Sequence, residues 1–356
     1  MTNLDEVSEI TRVDVHRTRD VLTAFPRQCR DALRLRLDRP LVGDRPGRVV
    51  IAGMGGSAAS GDLVAACGAD SVDVPILVHR GYGLPAAANR ESLVIATSYS
   101  GDTAEVLSAF RVAIERRIPA VAVTAGGRLG ELADRHGIPR IAVPAGLMPR
   151  MALGYLFFPA RAALQSAAID IASDAEVDEA LDSVATLASE LVPEQPTGLN
   201  EAKRLATAIG HRLPAIYGGP DTGAVAYRWK TDVEENAKAF ALAGTLPEMN
   251  HNEIEAWRAP TARSLHLVLL RDHQEPPEIA RRFAILRDLV GGAAGGVSES
   301  WARGKGRLAR LLSLAYLGQW MSYYLALLRG VDPWAVPLLD ELKRRMRSPA
   351  TGASAP

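Results

Sequence analysis

Cysteine is nearly absent from the 356-residue sequence: Cys29 and Cys67 are the only two. Neither belongs to a CxxC or a Cys/His spacing, which argues against a disulfide framework and a structural zinc site and fits a reducing compartment. An excess of one charge sign is missing as well. Lys plus Arg number 41 and Asp plus Glu 41, and no basic tract stands out, so nucleic acid is not an expected partner. No uninterrupted apolar run is long enough to cross a bilayer, and the opening "MTNLDEVSEI" carries acids where a signal peptide needs a basic start. The expectation is a soluble, cytoplasmic protein with no membrane partner.

What is present is a grammar of short strands and helices. "RVVIAG" (48–53), "VPILVH" (74–79), "SLVIAT" (92–97), "PAVAVT" (119–124) and "PRIAVP" (139–144) are short, almost continuously apolar runs. Helix-patterned stretches separate them, which predicts a parallel sheet covered on both faces. After helical text at 151–171 and 175–191, "VPEQPTG" (192–198) reads as a linker. A fainter second round follows, with strands at 213–219 and 265–270 and helices at 222–240, 277–290, 305–329 and 335–347. "VVIAGMGGSAASGDLV" and "PAIYGGPDTGAVAYRW" share one order: apolar strand, glycines, small polar residues, helix. The expected organisation is an N-terminal helical extension (1–44) and two α/β units (45–173 and 195–347).

Two loops follow predicted strands of the first unit. In "GMGGSAASG" (53–61), Gly55 and Gly56 let the backbone present bare N–H groups, and Ser57 opens a helix whose N-terminus favours an anion. In "SYSGDT" (98–103), Ser98, Ser100 and Thr103 supply hydroxyls around Gly101. Both loops fall at the carboxyl edge of a parallel sheet, where such folds bind ligands. Taken singly, each has another reading: Ser and Thr also cap helices, and Gly53, Gly55 and Ala58 fit the GxGxxA of a dinucleotide fold. The end of the second strand, however, offers His79 and Arg80 where a ribose-binding carboxylate belongs, and neither loop has the lysine of a P-loop. Together the loops point to one small phosphorylated ligand.

The pair "GMGGSA" and "SYSGDT" resembles the sugar isomerase (SIS) fold. Further matches are "RGYGLP" (80–85), "TAGGRLGELA" (124–133), "MPRMALGY" (148–155), "YRWKTDVEENAK" (227–238), "PEMNHNEIEAW" (247–257) and "GVDPWAVPLLDELKRRM" (330–346). With these, the chain over residues 45–347 resembles the bifunctional phosphoglucose/phosphomannose isomerases. The resemblance implies two SIS-type three-layer α/β/α sandwich domains with parallel sheets. It also implies a metal-independent, cofactor-free aldose–ketose isomerase that interconverts glucose 6-phosphate and fructose 6-phosphate through a cis-enediolate. The phosphate would rest on Gly55, Gly56, Ser57, Ser98, Ser100 and Thr103. A non-catalytic phosphosugar-binding regulator and an NADP-binding oxidoreductase are the alternatives.

The same resemblance assigns four catalytic side chains. Glu235 is the proton-transfer base, although at first reading it shares a helix face with Arg228, and Glu234 and Lys238 stand four apart as a solvated pair. His251, in a polar turn, opens the sugar ring and commonly comes from the neighbouring subunit, which implies a homodimer. Arg150 carries the permanent positive charge that steadies the enediolate. Lys343 lies near the ring oxygen, or simply ends a basic helix beside Arg344 and Arg345. Two departures stand out. No Ser or Thr lies between Pro333 and Lys343, where relatives use a hydroxyl for the C2 epimer, so mannose 6-phosphate is expected only as an additional substrate. Gln319 stands where relatives often carry Asp.

Overall fold

The computed structural model describes residues 2–347. Three short helices open the chain: α1 (Val7–Val13), α2 (Thr18–Thr23) and α3 (Phe25–Ala32). The first alternating series is β1 (Arg48–Ala52), α4 (Gly56–Gly68), β2 (Ile76–His79), β3 (Ser92–Thr97), α5 (Ala104–Arg116), β4 (Ala120–Thr124), α6 (Gly127–His136) and β5 (Arg140–Ala142). Helices α7 (Leu153–Ser166), α8 (Asp174–Leu191) and α9 (Glu201–Ile209) follow. The second series is β6 (Leu213–Gly218), α10 (Gly223–Ala237), β7 (Leu242–Thr245), β8 (Leu265–Arg271), α11 (Pro277–Val290), β9 (Gly296–Trp301), α12 (Arg307–Leu328) and α13 (Pro337–Arg347).

Both sheets are parallel throughout, in the orders β2-β1-β3-β4-β5 and β7-β6-β8-β9. The architecture is therefore α/β with helices on both faces of each sheet, as the alternating pattern predicts. Side-chain alternation divides the faces. Val50, Val94 and Ala96 pack with Phe110 of α5 and Leu129 of α6, whereas Val49, Ile51, Leu93 and Ile95 belong to a larger cluster with α4 and α7. In the second sheet Ala215, Tyr217, Leu267 and Leu269 pack with Phe283 of α11, and Ile216, Val268 and Leu270 join that same larger cluster. One continuous core thus runs from the inner face of one sheet, through α4, α7, α10 and α12, to the inner face of the other.

Two strands of the second sheet lack the apolar signal used to find the rest. β7 reads "LAGT", and β9, "GVSESW", alternates polar residues along a partly exposed sheet edge. The predicted helix at 222–240 ends at Ala237, because Lys238 takes a left-handed conformation (φ 51°) as its C-cap. Its side chain folds back on the carbonyls of Glu235 and Asn236, so the predicted Glu234–Lys238 pair does not form, and Glu234 pairs with Lys230 at 2.9 Å instead.

Helix α12 is long and apolar enough to span a bilayer by length and composition, with mean hydropathy 1.2, but its apolar window is 94% buried within the protein. It is a core helix wrapped by α8, α9 and α10. The N-terminal segment docks on it. The Asp14 carboxylate caps α2, accepting from the Thr18 and Arg19 N–H groups at 2.7 and 3.0 Å, and also accepts from the Tyr323 hydroxyl at 2.9 Å.

Helices α10 and α12 approach closely where Trp229 lies over Gly318, the indole N–H donating to the Leu314 carbonyl at 2.8 Å. A Cβ on Gly318 would stand 2.2 Å from that indole nitrogen. Alanine improves helix propensity by about 1 kcal/mol, but the overlap forces the indole to move and costs on the order of 1–3 kcal/mol plus its hydrogen bond. Gly318→Ala is therefore expected to destabilise the protein by about 2 kcal/mol in denaturant titration; a variant as stable as the parent would show that this helix contact is not tight.

Candidate active site

The two predicted loops lie side by side at the carboxyl edge of the first sheet. Gly55 precedes α4 with φ 52°, and buried Ser57 sits in the first turn, its Oγ 3.4 Å from the Tyr99 N–H of the second loop. In that loop the hydroxyls of Ser98 and Thr103 are 2.9 Å apart, and the Gly101 N–H donates to Ser98 Oγ at 3.1 Å. Thr103 occupies the N-cap position of α5, yet its side chain makes no capping bond. The hydroxyl faces Ser98, so simple capping does not account for it. Gly101 has φ +73°, and a Cβ there would stand 1.8 Å from the Gly126 carbonyl oxygen; only glycine fits between the two loops. Ser100 is exposed, and its Oγ accepts from the Asp102 N–H at 3.3 Å.

Arg150 connects this edge to the second sheet. It lies in a 3-10 turn, Pro149–Met151, packed directly on the glycine loop: a Cβ on Gly56 would stand 2.7 Å from the Pro149 oxygen. The guanidinium is 2% exposed. Nε donates to Asn236 Oδ1 at 2.7 Å, Nη1 to Glu235 Oε2 at 3.2 Å, and Nη2 to the carbonyls of Pro333 and Trp334 at 2.9 and 2.7 Å. Of five N–H donors, one on Nη1 has no protein acceptor among the described residues. Glu235 remains partly open, its side chain 26% exposed.

The charges around this point balance. Burial pulls the Arg150 guanidinium below its usual range, while Glu235 and Asp232 hold it up. Behind it, buried Arg228 pairs with Asp232 at 2.9 Å and donates to the Arg150 carbonyl, so Arg228 is not the partner of Glu235 that the helix face suggested. Burial pushes the Asp232 carboxyl up, against the pull of Arg228. At the rim, burial lowers the Lys238 ammonium to about 8, with Arg150 adding to the effect. Two guanidinium cations thus face two carboxylates in a setting of low dielectric, where any unpaired charge would be costly.

His251 and Lys343 do not join this cluster within one chain. Glu235 is in the last turn of α10, which packs on the inner face of the second sheet and runs back to the amino ends of its strands. The 3-10 turn Glu248–His251 follows the carboxyl end of β7, and its Met249 packs on the outer face with Tyr217 and Trp257. The two residues occupy opposite faces and opposite ends of one sheet. His251 is exposed. Lys343 is exposed on α13 and makes no hydrogen bond or ion pair among the described residues.

Several partners of Arg150 have no signature in the sequence. The carbonyls of Pro333 and Trp334 cannot be read from side-chain identity. Gln319, which stands where relatives often carry Asp, is buried and donates from Nε2 to the Arg150 carbonyl at 3.3 Å. The second copy of the strand–glycine–helix order is closed. Thr222 Oγ1 accepts from the Gly219 N–H at 2.8 Å and donates to the Leu270 carbonyl at 2.9 Å, while Asp221 is held by Arg307 at 2.7 Å. Its hydroxyl is satisfied by its own sheet and its carboxylate repels an anion. Among the described residues no group of three or more His, Cys, Asp or Glu side chains is arranged to hold a metal ion.

Comparisons with known proteins place the chain in a family. Residues 199–346 match the family model described as bacterial phospho-glucose isomerase C-terminal SIS domain. The chain is 38% identical over 302 residues to a bifunctional phosphoglucose/phosphomannose isomerase of Caldicellulosiruptor bescii, covering 84% of this chain and 89% of the relative. It is 32% identical over 314 residues to the protein of that name in Thermoplasma volcanium, covering 88% and 95%. Its fold is similar to that of a glucose-6-phosphate isomerase like protein from Thermus thermophilus, with TM-score 0.64, 23% identity, and coverage of 97% and 99%. With relatives of this identity matched across most of both chains, the chain belongs to the bifunctional phosphoglucose/phosphomannose isomerase family.

Proposed function

We propose that this protein is an aldose–ketose isomerase that interconverts glucose 6-phosphate and fructose 6-phosphate, with mannose 6-phosphate as an additional substrate. The observation that carries the reading is the Arg150–Glu235 contact beside the hydroxyl loops: a fixed cation and a partly open carboxylate, held together where a bound phosphosugar would place its reacting carbons. Backbone N–H groups of Gly55 and Gly56 and the hydroxyls of Ser57, Ser98, Ser100 and Thr103 hold the phosphoryl group. Glu235 takes the C2 proton of the open aldose and returns it to C1. Negative charge then grows on the enediolate oxygens as the carboxylate is neutralised, and the free Nη1 hydrogen of Arg150 is there to meet it. The net charge of the buried cluster stays constant through the transfer.

Ring opening falls to His251, because imidazole is the side chain type suited to proton transfer near neutral pH. Because His251 and Glu235 stand at opposite ends of one sheet in a single chain, the imidazole comes from a second copy, and the protein is a homodimer with composite sites. Helix α13 supports this reading: Leu338, Leu342 and Met346, at a spacing of four, are exposed along one stripe. Lys343 on the same helix reaches the sugar ring oxygen in the assembled dimer. The division into units at 45–173 and 195–347 belongs to this proposal, as the cleft between them is where the sugar lies.

Two experiments test it. Glu235→Gln is expected to lower kcat by at least about a thousandfold with phosphosugar affinity changed less than about twofold; turnover equal to the parent rules out the assigned base. Mixing inactive Glu235→Gln and His251→Ala chains under subunit exchange should restore about a quarter of parental activity, since half the dimers are hybrids with one intact site of two. A mixture as inactive as its components would place both groups in one chain and refute the composite site.

A further inference from the structure

The N-terminal helical segment, outside the resemblance that assigns the catalytic groups, grips the Arg150 cradle from two sides. On one side His16 Nδ1 lies 2.7 Å from Asp332 Oδ2, and the imidazole stacks on Trp334 with ring centroids 6.3 Å apart and 18° between planes. Asp332 organises the short stretch that follows it: Oδ1 accepts from the Trp334 N–H at 3.1 Å, and its carbonyl accepts from Lys238 Nζ at 2.7 Å. The next two carbonyls, of Pro333 and Trp334, are the ones that hold Arg150 Nη2. On the other side buried Gln28 of α3 donates to the Met151 carbonyl at 2.9 Å and accepts from the Gly154 N–H at 2.8 Å, gripping the backbone just after Arg150.

The arrangement matters because of what Nη2 touches. Two neutral carbonyls orient one arm of the guanidinium without drawing off its charge through a carboxylate, and they do so only while residues 332–334 keep their conformation. On the side where His16 stands, the imidazole supplies both a hydrogen bond to Asp332 and a face for Trp334. A shift of the stretch would turn the guanidinium relative to Glu235, and sub-ångström to ångström misplacement of a catalytic charge is enough to slow a reaction by one to two orders of magnitude.

We propose that His16 is a positioning residue for the isomerase reaction, setting the orientation of the Arg150 guanidinium through Asp332 and Trp334. The proposal rests on the reading of Arg150 as the group that stabilises the enediolate. Its test uses the full chain with fructose 6-phosphate as substrate. His16→Ala is expected to lower kcat about tenfold with KM within about twofold. Affinity for the hydroxamate of a five-carbon phosphosugar acid, a mimic of the enediolate, should fall by the same factor, with inhibition by inorganic phosphate unchanged. His16→Asn, whose amide places a donor near the Nδ1 position, should recover most of kcat. Unchanged kcat in His16→Ala, a loss shared equally by KM and phosphate affinity, or no recovery in His16→Asn would each overturn the proposal. Arg150→Ala separates the two levels of the argument. If that variant retains parental turnover, the reading of Arg150 itself fails; if it is inactive while His16→Ala is fully active, only the positioning role fails.

Discussion

The Arg150 side chain is only 2% exposed, so its charge has to be met inside the protein, and four of its five N–H donors find acceptors on two distant stretches of the chain. Asn236 and Glu235 come from the end of α10, two carbonyls come from the stretch before α13, and Arg228 and Gln319 hold the Arg150 carbonyl from behind. Because the arginine itself stands on the loop after β5, these bonds join the carboxyl edge of the first sheet to the amino end of the second. The continuous core between the sheets brings the two edges together, and the polar cluster fixes their register. A misaligned pair of sheets would leave a buried charge unpaired, at a cost of several kcal/mol.

The same constraint shapes the chemistry. One side of the cluster is committed to structure, with Nε and Nη2 occupied, while one Nη1 hydrogen and the partly exposed Glu235 carboxylate are left uncommitted. A reaction that moves a proton onto a carboxylate while a neighbouring oxygen becomes negative needs such a pair. The repeated α/β plan offers two glycine turns, and the proposed phosphate site uses only the first. In the second, Thr222 bonds within its own sheet and Asp221 faces Arg307, so that the turn has become part of the packing.

Much of this was legible in the residues. Five nearly continuous apolar runs predicted the first sheet strand for strand, because buried parallel strands need no alternation. The second sheet was half legible: β6 and β8 are central and apolar, whereas β7 and β9 are edge strands whose Gly and Ser residues look like turns. The hydroxyl and glycine loops were visible through their residue types. The partners of Arg150 were not, since two are backbone carbonyls from Pro333 and Trp334 and a third, Asn236, lies 86 residues away. Helix spacing also misled: it paired Glu234 with Lys238 and Glu235 with Arg228, whereas the left-handed cap at Lys238 and the burial of Asp232 redirect both contacts. Local periodicity tells which residues share a face; it does not tell which of several like-charged neighbours a distant arginine will select.

The most direct measurement is the structure of the protein with a hexose 6-phosphate bound. The account requires the phosphoryl oxygens within hydrogen-bond reach of Ser57, Ser98, Ser100 and Thr103, and the first two carbons of the sugar between Glu235 and Arg150. A phosphoryl group seated instead on the Gly219–Thr222 turn, or a sugar whose carbons lie away from the Arg150–Glu235 pair, would contradict it.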